Sequence, residues 1–123
     1  MTALIELYAN NAQSTLASSI TASQTSLTVQ TGKGASFPNP VVGKEFFRVR
    51  LTGAASPNAI IEIVTCTARS GDTLTIVRGQ EGTTGHAWSV LDLVANVATA
   101  ATYSQFIQPF FGTDTGTVNA YAI

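Results

Sequence analysis

The most regular alternation of apolar and polar residues lies in the middle of the chain. In the segment EFFRVRL, residues 45–51, the side chains of Phe47, Val49 and Leu51 share one face. A period of two is typical of a half-buried β-strand. The segment AIIEIVTCTA, residues 59–68, carries apolar residues at both alternating positions. It therefore predicts a strand that is buried on much of both faces.

The segments on either side of these strands predict a hairpin and a loop. RSGD at 69–72 offers a short connection, because glycine readily adopts positive φ, and TLTIVR at 73–78 is strand-like. Together with 59–68 they predict an antiparallel hairpin. Earlier in the chain, SLTVQ at 26–30 predicts a strand, and the Gly- and Pro-rich stretch 31–40 predicts a loop.

The remaining segments complete a mainly β pattern. Residues 4–20 hold no single period and are expected to be extended, and GQEGTTG at 79–85 is expected to form a loop. WSVLDLVANV at 88–97 is predicted to close the sheet, and 98–108 permits one short helix before Pro109 stops it. The predicted fold class is mainly β: a small antiparallel sandwich or barrel, at most one short helix near 98–108, and an extended C-terminal segment.

Length and composition agree with a single β-rich domain. The chain has 123 residues, and charged residues make up 11%, well below the roughly 25% of typical soluble domains. Its 10 Ser and 18 Thr instead supply short hydroxyl side chains, which suit strands and turns. We assign residues 1–108 to a β-rich domain and residues 109–123 to the extended segment.

Charge and hydropathy disfavour two classes of partner. Six basic and seven acidic residues give a net charge of -1, and no basic run is present. Such a chain lacks the positive surface that grips nucleic acid or anionic lipid. No stretch of about 18 apolar residues and no secretory signal is evident, so we expect no membrane insertion and folding in a cytosol.

The residues that usually carry catalysis or bind metals are few. His86 is the single histidine and Cys66 the single cysteine, which is too few for a zinc site. A nucleophilic arrangement would need His86 with Ser89 or Cys66, and no local motif supports either pair. We therefore predict no catalytic, cofactor or metal site, a structural role for His86, and a buried, unreactive Cys66.

Paired carboxylates are candidates for glycoside hydrolysis, because that reaction requires two of them. Two pairs are candidates. Glu62 and Asp72 lie near opposite ends of the predicted hairpin, and Glu81 and Asp92 flank the Trp88 segment. No spacing distinguishes them from solvated or ion-paired side chains. The chain is predicted not to be an enzyme.

Two groups of residues are candidates for binding. One is an aromatic set near the C-terminus, in a segment too short to bury it alone, and it predicts an assembly interface: Phe106, Phe110, Phe111 and Tyr121. The other is the loop that precedes the single tryptophan, which either binds a ligand or simply turns the chain: Gln80, Glu81, Thr83 and Trp88. Aromatic residues in a small β domain are more often core than ligand platforms.

Three stretches of the chain resemble bacteriophage tail-fibre proteins. They are ARSGDTLTIVRGQEGTTGHAW at 68–88, LYANNAQSTLASSITASQTSLTVQTGKGASFP at 7–38, and FGTDTGTVNAYAI at 111–123. Together they cover nearly the whole chain and resemble the N-terminal, virion-attachment region. The resemblance implies a homotrimer in the virion tail, made in the host bacterial cytoplasm, that contacts other tail or baseplate proteins.

The function expected from this resemblance is structural: a module that anchors a tail fibre to the tail or baseplate. Low charge suits such a module, because charged groups at an interface core cost desolvation. The alternative is a receptor-binding module that recognises host surface polysaccharide through Trp88 and the polar loop 80–84, and an exposed Trp88 would favour it. A third hypothesis, a depolymerase fragment, requires two carboxylates that converge in a groove.

Overall fold

The structure is a computed structural model, which describes residues 4–56 and 59–104. Seven strands, one 3₁₀ turn and one short helix make up its regular structure. The strands are β1 (Ile5–Glu6), β2 (Gln13–Thr15), β3 (Ser26–Thr28), β4 (Glu45–Thr52), β5 (Ile61–Ser70), β6 (Thr73–Gln80) and β7 (Leu93–Asn96). The 3₁₀ turn spans Lys33–Ser36, and the helix is described over 100–104.

All seven strands belong to one sheet that curves into a half-barrel. Its order is β2-β7-β4-β5-β6-β3, with antiparallel neighbours, and β1 pairs in parallel with the start of β4. The two outer strands of this order meet through a bridge between Leu16 and Val29, beside which the Ala17 N–H donates to the Thr28 carbonyl at 2.8 Å. The predicted fold class, a small and mainly β antiparallel architecture, is confirmed.

The core fills the inner face of this curved sheet. Phe47, Val49 and Leu51 of β4 are fully buried there, as their period of two predicts. They join a single buried cluster with residues from β3, β5, β6, β7 and the connecting segments, including the two residues that flank β2: Ala12, Leu16, Ile20, Leu27, Val29, Phe37, Val64, Cys66, Leu74, Ile76, Trp88 and Val94. Burial raises the pKa of the Cys66 thiol to about 11, which confirms the expected buried and unreactive cysteine.

The opposite face of β4 differs from the half-buried strand that its sequence predicts. Phe46 and Arg48 are buried as well, and Arg50 is the exposed residue of this strand. The Arg48 guanidinium lies 5.1 Å over the Phe46 ring and beside Glu6 of β1. An ion pair from β1 therefore covers the half of β4 that was expected to meet solvent.

The prediction for β5, a strand buried on much of both faces, fails at the start of the strand. Glu62, Val64 and Cys66 face the core and are fully buried, but Ile61 on the outer face is 43% exposed. The outer side of this strand was expected to be buried because its residues are apolar. Farther along the outer face, Ile63, Thr65 and Thr67 are half-buried, so the core-facing side of this strand is the more completely buried one.

The hairpin of β5 and β6 is confirmed, with a tighter turn than expected. Residues 69 and 70 still belong to β5, and Gly71 and Asp72 form the turn, with Gly71 at φ +60°. The Asp72 carboxylate accepts hydrogen bonds from the N–H groups of Gly32 and Gly34 at 3.1 and 2.9 Å. This contact fixes the predicted loop 31–40 against the hairpin.

The segment 88–97 enters the sheet over a shorter length than predicted, and as an inner strand rather than a closing one, since β7 lies between β2 and β4. Trp88 makes one bridge with Ile20, and strand β7 begins at Leu93. Between them the chain turns, because Leu91 adopts φ +75° and the Asp92 carboxylate accepts the Ser89 N–H at 2.7 Å. Strand β6 also runs two residues into the predicted loop 79–85.

The helix at 100–104 lies within the stretch where one short helix was predicted. The proposed domain boundary at 108/109 and the segment 109–123 lie outside the described residues. In the part of the chain that the structure describes, no helix is long and apolar enough to cross a membrane.

Candidate functional site

The most connected side chain inside the half-barrel is a carboxylate. Glu62 points from β5 into the core and is 0% exposed. It accepts hydrogen bonds from the N–H groups of Gly79 at 2.9 Å and His86 at 3.0 Å, and from the Trp88 indole N–H at 2.9 Å. Arg78 adds two more, from Nε and Nη2, both at 2.8 Å. One carboxylate therefore fixes β6, the loop after it and the tryptophan.

Arg78 is bonded as completely as its partner. A guanidinium has five N–H donors. Two of them meet Glu62, and the other three donate to the carbonyls of Thr21 at 2.6 Å, Gln24 at 2.9 Å and His86 at 2.6 Å. The pair therefore meets the condition for burying charge, which is that both ions have hydrogen-bond partners on all sides.

The pKa of Glu62 reflects these contacts. Burial by itself raises that pKa, but the hydrogen bonds from Arg78, Trp88, Gly79 and His86 outweigh it and lower the pKa below the ordinary value of 4.5. Glu62 is thus an ionised structural residue, unlike a general acid, which needs a raised pKa to hold its proton near neutral pH.

Trp88, a predicted ligand residue, is 3% exposed. Its indole N–H is bound to Glu62, and its ring contacts His86 edge-on with centroids 4.7 Å apart. His86 thus packs in the loop that leads to the tryptophan, as expected for a structural histidine. A ring in this position does not offer a face on which a sugar could stack.

Thr83, from the same predicted loop, completes the sheet where β6 diverges from β5. Its hydroxyl accepts the Ile63 N–H at 3.0 Å and donates to the Gln80 carbonyl at 2.6 Å. The side-chain amide of Gln80 in turn donates to the Arg78 carbonyl at 3.0 Å. Both residues therefore serve the turn, which is one of the two roles predicted for them.

Glu81 forms a second polar cluster, outside the sheet. Its carboxylate meets Arg48 Nη1 at 3.2 Å, accepts the Thr99 hydroxyl at 2.6 Å and accepts the Ala101 N–H at 3.1 Å. A carboxylate at the first turn of a helix is favourable, because the N–H groups there have no partner within the helix. Glu81 thus joins the start of the 100–104 helix to β4.

Glu6 of β1 extends this cluster. Its carboxylate lies 3.2 Å from Arg48 Nε, as an ion pair whose angle is not that of a hydrogen bond, and it accepts the Thr102 hydroxyl at 2.9 Å. The Glu6 side chain is 2% exposed. The helix is therefore held by two acids, from β1 and from the loop after β6, that share Arg48.

In each of the two carboxylate pairs considered as candidates for hydrolysis, the two members make separate structural contacts. Glu62 and Asp72 lie at opposite ends of the β5–β6 hairpin, each with its own partners. Glu81 binds Arg48 and the helix, whereas Asp92 accepts the N–H groups of Ser89 and Ala54. Within 4–56 and 59–104, no three His, Cys, Asp or Glu side chains gather as a metal site.

The outer face of the sheet carries a different kind of site. A cavity of about 350 Å³ opens between β2, β7 and β4, with Arg50 at one side of it. Polar and apolar side chains alternate around it: Gln13, Thr15, Arg50, Thr52, Leu93 and Ala95. None of these residues was predicted from the sequence to form a site.

The predicted assembly residues Phe106, Phe110, Phe111 and Tyr121 lie outside the described residues. The helix at 100–104, which precedes them, carries Tyr103, which is 60% exposed. Other exposed apolar side chains near the same end of β4 belong to the N-terminal strand and the turn before β4: Leu4, Ile5, Tyr8, Val41 and Val42.

Sequence reasoning missed the ion pairs, although one signal was present. Glu62 shares its alternating position with Val64 and Cys66, and a charge among apolar residues on a core face requires a partner. The partner, Arg78, follows the apolar run of β6. Identifying the pair would have required the register of the hairpin, which includes irregularities between Ile63 and Thr65 and between Cys66 and Ala68.

Comparison with known proteins adds no relative. No protein-family model matches the chain, and no curated protein matches it.

Proposed function

We propose that the chain is a structural module of a bacteriophage tail, the N-terminal region of a tail fibre that anchors the fibre to the tail or baseplate. The proposal starts from the resemblance of three stretches that cover nearly the whole chain. It also assigns no catalytic residue, cofactor or metal to the chain. The protein would act in the virion tail, after synthesis in the host bacterial cytoplasm.

One structural observation carries most weight for an anchoring role: the way in which the last described element is attached. The helix at 100–104 is bonded to Glu81 through Ala101 and to Glu6 through Thr102. Both acids contact Arg48, which lies in the central part of the sheet order. A force applied to the chain after the helix would thus be distributed over β1, β4 and the loop after β6.

The use of acidic side chains supports a non-enzymatic role. Each described carboxylate accepts hydrogen bonds or pairs with an arginine within the chain, and two of them are almost completely buried. A hydrolase would need two carboxylates that face a common groove. Here the acids instead hold turns, strands and the helix together, which suits a structural module.

Assembly is assigned to the C-terminal side. We propose that Phe106, Phe110, Phe111 and Tyr121 bury against copies of the same residues in a homotrimer, with residues 1–108 as the virion-attachment domain. Residues 109–123 would lead to the further fibre. Symmetric association would bury aromatic side chains that a short segment cannot bury alone.

The test is the solution mass of the full chain by light scattering. We expect three times the chain mass of 12.8 kDa, and a shift to the monomer when Phe110 and Phe111 are both replaced by Ser. The matched control replaces Val41 and Val42 by Ser, since both are exposed in the turn before β4. This control should remain a trimer, and circular dichroism should show an unchanged β-sheet in both variants.

A monomeric parent chain would contradict assembly through the aromatic set. Loss of the β-sheet signal in the Phe110 and Phe111 variant would instead assign those rings to the core. Equal dissociation of the control variant would show that the effect is not specific to the C-terminal side.

The alternative is a receptor-binding module for host surface polysaccharide. Trp88 was predicted to stack against the sugar. It is buried and its indole N–H is bonded to Glu62, so it cannot serve as the stacking surface.

A further inference from the structure

The outer face of the half-barrel holds one charged side chain with no partner in the described chain. Arg50 projects from the middle of β4, and its neighbours in register are Ala95 of β7 and Ile63 of β5. It is exposed and makes no hydrogen bond or ion pair with residues 4–56 or 59–104. Its five donors are thus available to a ligand.

Other polar groups beside Arg50 are also available. Gln13, which is exposed, and Thr52, which is 4% exposed, line the same cavity of about 350 Å³, and their side chains make no hydrogen bond to another described residue. The Thr15 hydroxyl accepts a bond from Gln30 Nε2 at 3.1 Å, which leaves its own hydrogen free to donate. Four side chains with unused donors therefore surround one cavity.

The rest of the cavity is apolar. Leu93, which is 36% exposed, and Ala95 form its wall on β7. An apolar wall with a few convergent polar groups is the usual composition of a small-molecule site. A sugar ring matches it, because a pyranose presents C–H groups on one face and hydroxyls at its edge.

We propose that this cavity binds a sugar that carries a carboxylate, of the hexuronate class. The carboxylate pairs with the Arg50 guanidinium, whose planar fork matches two carboxylate oxygens. The ring hydroxyls bond to Gln13, Thr15 and Thr52, and the C–H face lies on Leu93. The site goes beyond an anchoring role and does not depend on it.

We take the acid to come from the ligand, because the acids within residues 4–56 and 59–104 already have partners. Each described carboxylate already has partners in its own chain: Glu6, Glu45, Glu62, Asp72, Glu81 and Asp92. A second copy docked by its described part would therefore bring no unused carboxylate to Arg50. A single guanidinium also matches one carboxylate better than a polyanion, which would need several cations.

The experiment is a titration of the ¹⁵N-labelled full chain, followed by NMR. The probe is methyl β-D-glucuronide, and the matched neutral probe is methyl β-D-glucoside, which differs only at the carboxylate. We expect the glucuronide to shift the backbone amides of Gln13, Thr52, Leu93 and Ala95 and the Nε signal of Arg50. The glucoside should bind about tenfold more weakly or worse, because it lacks the charge-assisted contact.

Two variants test the assignment of Arg50. Arg50→Gln should weaken glucuronide binding about tenfold or more. Lys44→Gln removes the same charge from an exposed position in the turn before β4, outside the cavity lining, and should bind as the parent does. The amide spectrum of each variant reports in the same experiment that the fold is intact.

Three outcomes would overturn the proposal. The first is no shift at the cavity with glucuronide, and the second is equal binding of the parent and Arg50→Gln. The third uses N-acetylglutamate amide, a mimic of an acidic side chain. If this probe binds as tightly as the glucuronide, the sugar ring contributes nothing, and the site would be a contact for an acidic protein surface.

Discussion

Two arginines on β4 and β6, the strands on either side of β5, show how differently the two faces of the half-barrel are built. Arg78 turns inward from β6, and all five of its donors are bonded to Glu62 and to three backbone carbonyls. Arg50 points outward from β4 and bonds to none of the described residues. The same side chain thus serves the fold on one face and remains available on the other.

This difference indicates which substitutions should affect folding and which should affect binding. A buried charge must keep its partners, because an unpaired ion in the core costs several kcal/mol. An exposed charge costs little to remove, because water replaces its contacts. Substitutions at Glu62 and Arg78 should therefore alter stability, and a substitution at Arg50 should alter recognition.

The largest effect is expected at the centre of the inner cluster. Glu62→Gln should lower the free energy of unfolding by about 3–5 kcal/mol, because it leaves Arg78 buried without a counter-charge and turns an amide N–H₂ toward other donors. That is a large fraction of the 5–15 kcal/mol typical of a domain. Urea denaturation followed by circular dichroism measures the change.

The matched control is Glu45→Gln, at the start of β4. The Glu45 carboxylate accepts the Val41 N–H at 2.8 Å in an exposed contact, so its loss should cost less than about 1 kcal/mol. Equal effects of the two substitutions would show that Glu62 has no special role in the fold.

Acid should weaken the inner cluster in a defined range of pH. Because the pKa of Glu62 in the folded chain lies below its ordinary value of 4.5, its contribution to stability is fully present above about pH 4.5. This contribution is lost as the pH falls through the lowered pKa. The gap in unfolding free energy between the parent and Glu62→Gln should therefore narrow from pH 7 to pH 3.

Other carboxylates also titrate in this range, and the comparison with Glu62→Gln removes their effect. A gap that stays constant between pH 7 and pH 3 would mean that Glu62 has the same pKa in the folded and unfolded chains.

A smaller effect is expected for the indole N–H of Trp88. Trp88→Phe keeps an aromatic ring in the core but removes the donor to Glu62, and should cost about 1.5–3 kcal/mol, as for hydrogen bonds to charged groups. Tyr103→Phe is the control, since it removes a hydroxyl from a ring that is 60% exposed and should change stability by less than about 0.5 kcal/mol. Thermal or urea denaturation that gave the same change for both would place the Trp88 ring outside the cluster.

Local patterns predicted the strands well, because a period of two reports which residues can share a face. It identified Phe47, Val49 and Leu51 as core and located the hairpin of β5 and β6. The pattern does not report what covers the other face. Phe46 and Arg48 are buried by contacts with β1, about 40 residues away in sequence, whereas Ile61 is apolar and exposed.

The candidate sites were harder to predict than the strands. Trp88 was singled out because tryptophan often binds sugars, but a buried carboxylate on β5 takes its N–H. The cavity beside Arg50 comes from three strands that are distant in sequence, with Gln13, Arg50 and Ala95 brought side by side by the sheet order. No spacing within one segment encodes such a group of neighbours.

The smallest effect on stability is expected at Arg50. Arg50→Gln should change the free energy of unfolding by less than about 0.5 kcal/mol, because the side chain is exposed and donates to none of the described residues. The same substitution at Arg78 removes five hydrogen bonds and should resemble Glu62→Gln in urea denaturation. If Arg50→Gln were as destabilising as Arg78→Gln, its guanidinium would be part of the fold, and the outer face would not be free to bind a ligand.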